Sequence, residues 1–426
     1  MSTNRGTPRS GLLLPALILG AALAVRLAFI AATPDLRLRS DPADYHRLAV
    51  SLDAGHGFGT TVVAPGGGPT AFRPPMFPVV LAAVYKVMGV HITAARVFQA
   101  LLGTVSVGLI GLLAWSVWGR RTALVAMAVA AVYPPLVVAG GTLLSESLAI
   151  PLELGAVLCA MRARTSRRAP AWAVTAGLLT GLGILTRPNS AVLVVPVVLL
   201  SLTGVRPVRR LVAPALIVVV AALVLVPWLV RDRNVMGHVV PLTTQTGLVA
   251  AGTYNDTSAH DRRAPAAWRP ENLVPEYRHL LYGDEYGEER RLRHAATRYV
   301  DAHPTYVARV MYWNTRRLFD TTGRASSRAS WAANGFSAGW ADAAHYGYWV
   351  VAVLAVGGAV TTNARKAPGA LWLAPVLLWL VTVPVLGESR LRGTIEPFFV
   401  LLAALAIEAV RRRLGRRRAL VDDPVT

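Results

Sequence analysis

Charged side chains set among long apolar runs are where this sequence could do chemistry, because a charge in or beside a bilayer is costly without a partner or a task. The stretch after the first apolar run is the richest in them. It reads Ser40-Asp41-Pro42-Ala43-Asp44-Tyr45-His46, then Gly55-His56-Gly57-Phe58, then Pro69-Thr70-Ala71-Phe72-Arg73-Pro74-Pro75-Met76-Phe77-Pro78. Asp41 followed by proline is a good helix start, with Asp41 at the N-cap, Pro42 at the first helical position and Asp44 at the third. A helix from Pro42 to Ala54 would show Tyr45, Leu48, Ala49 and Leu52 on one face, suited to lying on the bilayer. Asp41 is then either a cap or a carboxylate held at the membrane surface to take a proton from an incoming hydroxyl. Both hold only if its side chain turns away from the cap.

A second carboxylate, Glu146 in Leu144-Ser145-Glu146-Ser147, stands at the outer end of a later apolar run. Its alternatives are a capping-type contact of Ser145, a glutamate reaching for the boundary, or a partner of Asp41 on the same side. Glu153 lies two turns deeper and Glu408 falls in the last run; ion pairing or interface location accounts for both. The arginines are Arg73 before Pro74-Pro75, Arg187 before Pro188, Arg231 after Pro227-Trp228, and Arg390 and Arg392 ahead of the last run. A guanidinium fork suits phosphate oxygens, although a lone boundary arginine serves equally as a headgroup contact. Several on one face point to an anionic, membrane-tethered substrate. Arg26, inside the first run, needs a buried partner or a water-filled cavity. His46 and His56 read as interfacial or helix-face residues, and no metal site is predicted. HExxH, P-loop and GxSxG signatures are absent. The single cysteine, Cys159, excludes an intramolecular disulfide or a Cys-based zinc site.

Membrane helices must position these residues. Of 426 residues, 54% are hydrophobic and 16% charged, where an ordinary soluble domain carries about 25% charged residues. Mean hydropathy is positive. Apolar stretches of about 17–25 residues recur from Gly11 to Val410, each long enough for a hydrocarbon core of roughly 30 Å. That excludes a soluble globular enzyme, a disordered chain and a disulfide scaffold. The formal charge of +21 raises the question of nucleic acid. The basic residues sit between apolar runs, however, so orientation in the membrane accounts for them and no nucleic-acid partner is expected.

The spans are read as 11–32, 94–118, 122–141, 144–162, 170–186, 189–204, 209–230, 346–362, 369–386 and 394–410. The short piece Met76 to Gly89, with Lys86, is read as a helix in the outer interface. Counting it as a span would put Arg120–Arg121 and the Arg162–Arg168 cluster outside, against the positive-inside bias. With Arg5 and Arg9 inside, the Arg-dense loops Gly119–Arg121, Arg162–Arg168, Arg206–Arg210 and Asn363–Ala367 become cytoplasmic. The tail is basic until Asp422 and Asp423, an anchor near anionic lipid. Low-complexity sequence is otherwise limited to Gly66–Gly68. No small-residue cleavage site follows the first span, so it is expected to be retained.

The expected fold class is thus a polytopic α-helical membrane protein. It has about ten transmembrane helices, interfacial helices in the first outer loop, and a small extracytoplasmic α or α/β domain. The expected divisions are a catalytic transmembrane region 1–230 with first outer loop 33–93, an extracytoplasmic domain 231–345, transmembrane helices 346–410 and a basic cytoplasmic tail 411–426. In the extracytoplasmic domain Tyr286 to Leu318 reads as helical, and Val239–Gly252 as a source of a strand.

The first loop and its later echoes resemble the bacterial ArnT/PMT-like (family 39-type) integral-membrane glycosyltransferases of the GT-C class. That family's pattern runs roughly G-D-x-x-x-Y-x-x-x-A, then G-x-G-F, then T-A-x-R-P-P-x-Y-P. Here stand Ser40-Asp41 through Tyr45 and Ala49, Gly55-His56-Gly57-Phe58, and Thr70-Ala71 with Arg73 through Pro78. A T/S-E-S-L segment is matched by Ser145-Glu146-Ser147-Leu148. A G-L-x-x-L-x-R-P element is matched by Gly181 to Pro188, and P-W-x-x-R-N by Pro227-Trp228 and Arg231, with Asp232 for Asn. A late R-Y-R is matched by Arg390-Leu391-Arg392. The resemblance covers nearly the whole chain in one order. Ser40 replaces the usual Gly, Phe77 and Leu391 replace Tyr, and Phe72 stands where the aminoarabinose-transferring branch has Glu, so that sugar is not assigned.

The resemblance implies an inverting glycosyltransferase that moves a sugar from a polyprenyl-phosphate donor to an acceptor (lipid, glycan or protein) on the outer face of a bacterial plasma membrane, both termini cytoplasmic. A phosphate leaving group is weakly basic, so one base and cations for the phosphate suffice. That differs from glycoside hydrolysis, where an acid and a base flank the bond. On this reading Asp41 is the base, and Glu146 orients the acceptor, Asp41 or a bound cation. Arg73, Arg187, Arg390 and Arg392 take the donor phosphate, and Asp44, Tyr45 and His46 belong to the substrate cavity, Asp44 being the fallback base. No cofactor is called for; a divalent cation is compatible with the site but not predicted. The expected partners are the lipid-linked donor and membrane lipid. The alternative is a transporter or flippase of an anionic lipid-linked substrate. Against it stand the lack of an inverted repeat and carboxylates clustered at one surface instead of the midplane.

Overall fold

The computed structural model describes residues 10–59, 68–202 and 207–421. Arg5, Arg9, Gly66, Gly67, Arg206, Asp422 and Asp423 lie outside them, and with them the loop charges expected at those positions. The apolar runs fold as helices, since in lipid a segment must satisfy its own backbone hydrogen bonds. The chain begins with α1 (Ser10–Ala31), then α2 (Asp41–Asp53), α3 (Met76–Met88) and α4 (Ile92–Trp118). Next come α5 (Arg120–Val132), α6 (Pro134–Ala139), α7 (Glu146–Thr165) and α8 (Ala169–Thr186). A 3-10 turn, Pro188–Leu193, leads into α9 (Val194–Ser201), and α10 (Pro207–Met236) follows. The polar stretch holds α11 (Gln245–Thr253), α12 (Asp256–His260), α13 (Glu285–Ala302), α14 (Pro304–Leu318) and α15 (Arg324–Ala332). Last are α16 (Ala338–Ala359), α17 (Gly369–Thr382), a 3-10 turn Ser389–Thr394 and α18 (Glu396–Val421).

Each expected span coincides with a helix or a broken pair. Four stretches among the described residues are long and apolar enough to cross a membrane: Leu12–Ala31, Ile92–Trp118, Ala169–Thr186 and Leu211–Met236. The stretch 122–141 breaks at Tyr133-Pro134, because the residue before a proline is driven out of helical backbone. Small residues set the closest packing, as is usual between membrane helices. A Cβ on Gly181 of α8 would lie 2.7 Å from Val224 Cβ of α10, so only glycine admits that approach. Arg26 of α1 finds its partners at the end of α5, donating to the carbonyls of Ala131 (3.2 Å) and Ala130 (3.5 Å) as well as to Ala22 within its own helix. The helix end supplies carbonyls left without intrahelical partners.

The polar stretch gathers on a core of its own, with Leu248, Tyr254, Val274, Leu292, Tyr306 and Val310 buried around Phe72 from the first loop. The strand expected from Val239–Gly252 does not form. Pro241 lacks a ladder N–H, Leu242 adopts a left-handed φ of 76°, and helix α11 begins at Gln245. The stretch is helical only from Gln245, and the sole β pairing among the described residues is the isolated bridge Gly59–Pro69. The helix expected over Tyr286–Leu318 is present but divided at His303-Pro304 into α13 and α14.

Candidate functional site

Asp41 and Glu146 are each the first residue of a helix, α2 and α7. There the leading N–H groups and the macrodipole favour negative charge. Asp41 is not the N-cap expected from the sequence. Ser40 takes that place with φ 50° and ψ −130° and makes no side-chain cap, so the carboxylate one residue later is free to turn toward arginines. Arg73 and Arg187 each precede proline, which bars helical backbone and turns the chain there. Arg187 is extended at φ −147° as α8 ends. Arg390 comes from the 3-10 turn before α18.

These elements converge. Asp41 Oδ1 lies 2.7 Å from Arg73 Nη2, and Asp41 Oδ2 lies 2.7 Å from Arg390 Nη2. Arg73 also donates to Asp44 Oδ2 from Nη2 (2.7 Å) and Nε (3.1 Å), and Asp44 pairs in turn with Arg47. Glu146 Oε1 sits 2.7 Å from Arg187 Nη1 and 4.0 Å from Arg390 Nη1, while Arg390 Nε donates to Glu388 at 2.8 Å. Arg390 therefore stands between the two carboxylates. Gly393 lets its turn close on them: a Cβ there would be 3.2 Å from Glu146 Cγ. Glu146 is 1% exposed, and its Oε2 has no hydrogen-bond partner among the described residues. A buried polar atom without a hydrogen bond is uncommon in a folded protein and calls for a physical explanation.

Burial pushes the Asp41 carboxyl up, but Arg390, Arg73 and Arg187 outweigh it and hold the group below the usual carboxylate range. Burial likewise lowers Arg390 and Arg73, and the facing carboxylates more than reverse it. Tyr45, raised by burial and by Asp41, stays protonated and donates to Ser145 Oγ at 3.3 Å; Arg187 donates to the same oxygen at 3.3 Å.

A strap holds the Arg73 loop. Glu285, at the start of α13, accepts from Thr70 Oγ1 (2.5 Å), Ala71 N (3.0 Å) and Thr244 Oγ1 (2.5 Å). Arg231 donates to the carbonyls of Thr70 (2.6 Å) and Phe58 (3.0 Å) and pairs with Asp232. A cavity of about 40 Å³ beside Phe72, lined also by Glu285, Glu288 and Glu289, has room for a few waters and not for a sugar.

Residues 72–230 match the family described as dolichyl-phosphate-mannose-protein mannosyltransferase. That stretch holds Arg73, Glu146 and Arg187. No curated protein sequence matches the chain significantly. Among solved structures, the archaeal oligosaccharyltransferase AglB from Archaeoglobus fulgidus, in complex with an inhibitory peptide and a dolichol-phosphate, is similar over 96% of this chain and 52% of its own. The identity is 15% and the TM-score 0.54. The apo form of the Archaeoglobus fulgidus oligosaccharyltransferase gives 13% identity, 97% and 52% coverage and a TM-score of 0.54. ArnT from Cupriavidus metallidurans bound to undecaprenyl phosphate gives 15% identity, 92% and 77% coverage and a TM-score of 0.46. The chain thus resembles that family over 72–230 and shares the fold of the archaeal oligosaccharyltransferase. It is a multi-pass membrane protein and spans about half the length of the archaeal oligosaccharyltransferase.

In this chain, Asp41, Asp44, Arg73, Glu146, Arg187 and Arg390 form one connected cluster with Tyr45 at its edge. Two of the sequence-predicted site residues stand apart. His46 hydrogen-bonds Tyr85 on α3 at 2.8 Å, and burial and Arg47 lower its pKa. Arg392, fully buried, binds Glu396 (2.5 Å) and Asp320 (3.2 Å) with its guanidinium over the Tyr348 ring. The sequence reading missed Glu388, two positions before Arg390, and gave Ser145 only as a capping-type contact within the motif that holds Glu146. It also missed Glu285, which carries no local signal because its partners are some 40 and 215 positions away.

Proposed function

We propose that this chain is a glycosyltransferase that moves a sugar from a polyprenyl-phosphate donor to an acceptor on the extracytoplasmic side of a bacterial plasma membrane, inverting the anomeric carbon. The observation that carries the reading is the convergence of Asp41 and Glu146 on Arg390, with Arg73 and Arg187 closing the other sides. A one-surface cluster of this kind suits transfer better than a two-sided transport path.

The cluster is close to charge-matched, so a phosphate bound there shares guanidinium groups that otherwise serve carboxylates. As Arg73, Arg187 and Arg390 turn to the phosphate oxygens, Asp41 loses part of the positive field that keeps it a weak base, and its proton affinity rises. The acceptor hydroxyl, oriented by Glu146 Oε2, then attacks the anomeric carbon. The bond from that carbon to the phosphate oxygen breaks, the phosphate leaves with the electron pair, and Asp41 takes the hydroxyl proton. Backside attack opposite the leaving phosphate gives inversion. The reading calls for no cofactor. It places ten spans with both termini cytoplasmic, α2 and α3 at the outer interface, and residues 231–345 as an extracytoplasmic domain.

The test is incubation of the purified protein with a panel of polyprenyl-phosphate sugars and mass analysis of the products. Transfer that depends on Asp41 and Glu146 supports the reading. A protein that carries the lipid-linked sugar across liposome membranes without cleaving it is a transporter, and the reading fails.

A further inference from the structure

The carboxylate of Glu146 follows an irregular passage, residues 140–145, between α6 and α7. Leu143 in it adopts a left-handed φ of 54°, a conformation that a leucine keeps only when its surroundings enforce it. The enforcement comes from α4. Gln99, fully buried, accepts from Leu143 N at 2.6 Å and donates to Leu144 O at 3.1 Å and Ser147 Oγ at 2.8 Å. The peptide N–H can only donate and the carbonyl can only accept, so the amide has one orientation. One turn earlier on the same helix face, Arg96 is 2% exposed. It donates to Gly141 O at 2.7 Å and Thr33 O at 2.7 Å, and to Thr33 Oγ1. Among the described residues Arg96 has no carboxylate partner; its charge is spent on backbone carbonyls at the end of α1 and at the start of the Glu146 turn.

Resting on the glycosyltransferase reading, we propose that Gln99 and Arg96 of α4 are positioning residues. They fix the turn before α7 and the exit of α1 in one frame, so that Glu146 and Asp41 meet Arg390 together. Neither touches the reacting groups. Gln99 acts through Glu146, and Arg96 ties both carboxylate-bearing loops to one rigid helix. Two polar side chains in an apolar span, each fully engaged with backbone, serve this purpose better than they serve stability, which apolar packing would supply.

The test compares Gln99→Leu, Gln99→Glu and the milder Ser147→Ala in the purified full-length protein. One readout is hydrogen–deuterium exchange over 140–147; the other is a double-mutant cycle with Glu146→Gln. Gln99→Leu is expected to speed exchange in that passage and to lower kcat about 10- to 100-fold, leaving donor KM within about twofold. Gln99→Glu, which keeps the oxygen for Leu143 N–H, recovers part of both. Ser147→Ala gives a smaller loss of the same kind and serves if Gln99→Leu does not fold. The pair Gln99→Leu/Glu146→Gln is expected to be no slower than Glu146→Gln alone. Multiplying losses, or fast exchange with unchanged kcat, would overturn the proposal and leave the transferase reading standing. Wild-type protein that transfers no sugar overturns that reading instead, while unchanged exchange in Gln99→Leu and Ser147→Ala rejects the clamp by itself.

Discussion

Arg390 and Arg392 stand two residues apart on one 3-10 turn and serve different networks. Arg390 bridges Asp41, Glu146 and Glu388, whereas Arg392 is locked behind them by Glu396, Asp320 and Tyr348. In a 3-10 turn neighbours two apart point to different sides, so one short turn ties the cluster around Asp41 and Glu146 to the interior.

The two arginines should therefore fail differently. Arg390→Ala is expected to raise donor KM by 10-fold or more, on the order of the loss of a charge-assisted contact of about 1.5–3 kcal/mol, while acceptor KM changes little. Steady-state kinetics with each substrate varied in turn would show it; a defect confined to acceptor would count against the phosphate role.

Arg392→Ala should act on the fold. Removing one member of a fully buried ion-pair network leaves Asp320 and Glu396 facing each other, at a cost of about 3–5 kcal/mol. Thermal unfolding in detergent is expected to show a lowered Tm and reduced yield. A selective donor defect at unchanged Tm would return Arg392 to the binding site.

Asp41→Asn removes the proton acceptor and keeps the shape. Sugar transfer is expected to fall by about 10²–10⁴-fold while polyprenyl-phosphate binding, read by its thermal shift, persists. Wild-type turnover in this variant would take Asp41 out of the mechanism.

The pH profiles should differ between kcat/KM and kcat. Arg390, Arg73 and Arg187 hold Asp41 below the usual carboxylate range in the free protein, so kcat/KM, which reports the free enzyme, should be lost only as pH falls well below about 3.9. With phosphate bound the arginines are shared and the carboxyl rises, so kcat should decline at a higher pH. The same depressed group lends stability that is present above about pH 3.9 and lost as pH falls toward its folded value. Coincident acid limbs would argue against the sharing of arginines.

Ser40→Gly should stabilise the protein. Ser40 holds φ 50° and ψ −130°, a backbone state that costs a non-glycine residue about 1–3 kcal/mol. Glycine relieves it, offset by roughly 0.5–1 kcal/mol of extra chain entropy. A modest rise in Tm is expected, with kcat unchanged or higher.

The helices were legible because apolar run length and proline position are local properties. The same holds for Asp41, Glu146, Arg73, Arg187 and Arg390, each tied to a short motif or a helix boundary. What the sequence hid was pairing. Arg390 and Arg392 look equivalent in Arg390-Leu391-Arg392, and only the turn's geometry separates them. The expected Asp41 cap failed because distant guanidinium groups compete better for the carboxylate than the local N–H groups do. The expected strand at Val239–Gly252 failed because apolar content alone does not distinguish a strand from a short helix when no partner strand is at hand.

Phe72 and Arg73 are adjacent in the chain, yet the phenyl ring is rooted in the helical cluster of the polar stretch while the guanidinium grips Asp41 and Asp44. With Glu285 and Arg231 strapping the same few residues, 231–345 is no interchangeable module. A chimera that grafted in another protein's version of that region would have to bring along a matching seat for residue 72, or the swap would misplace the cation next door.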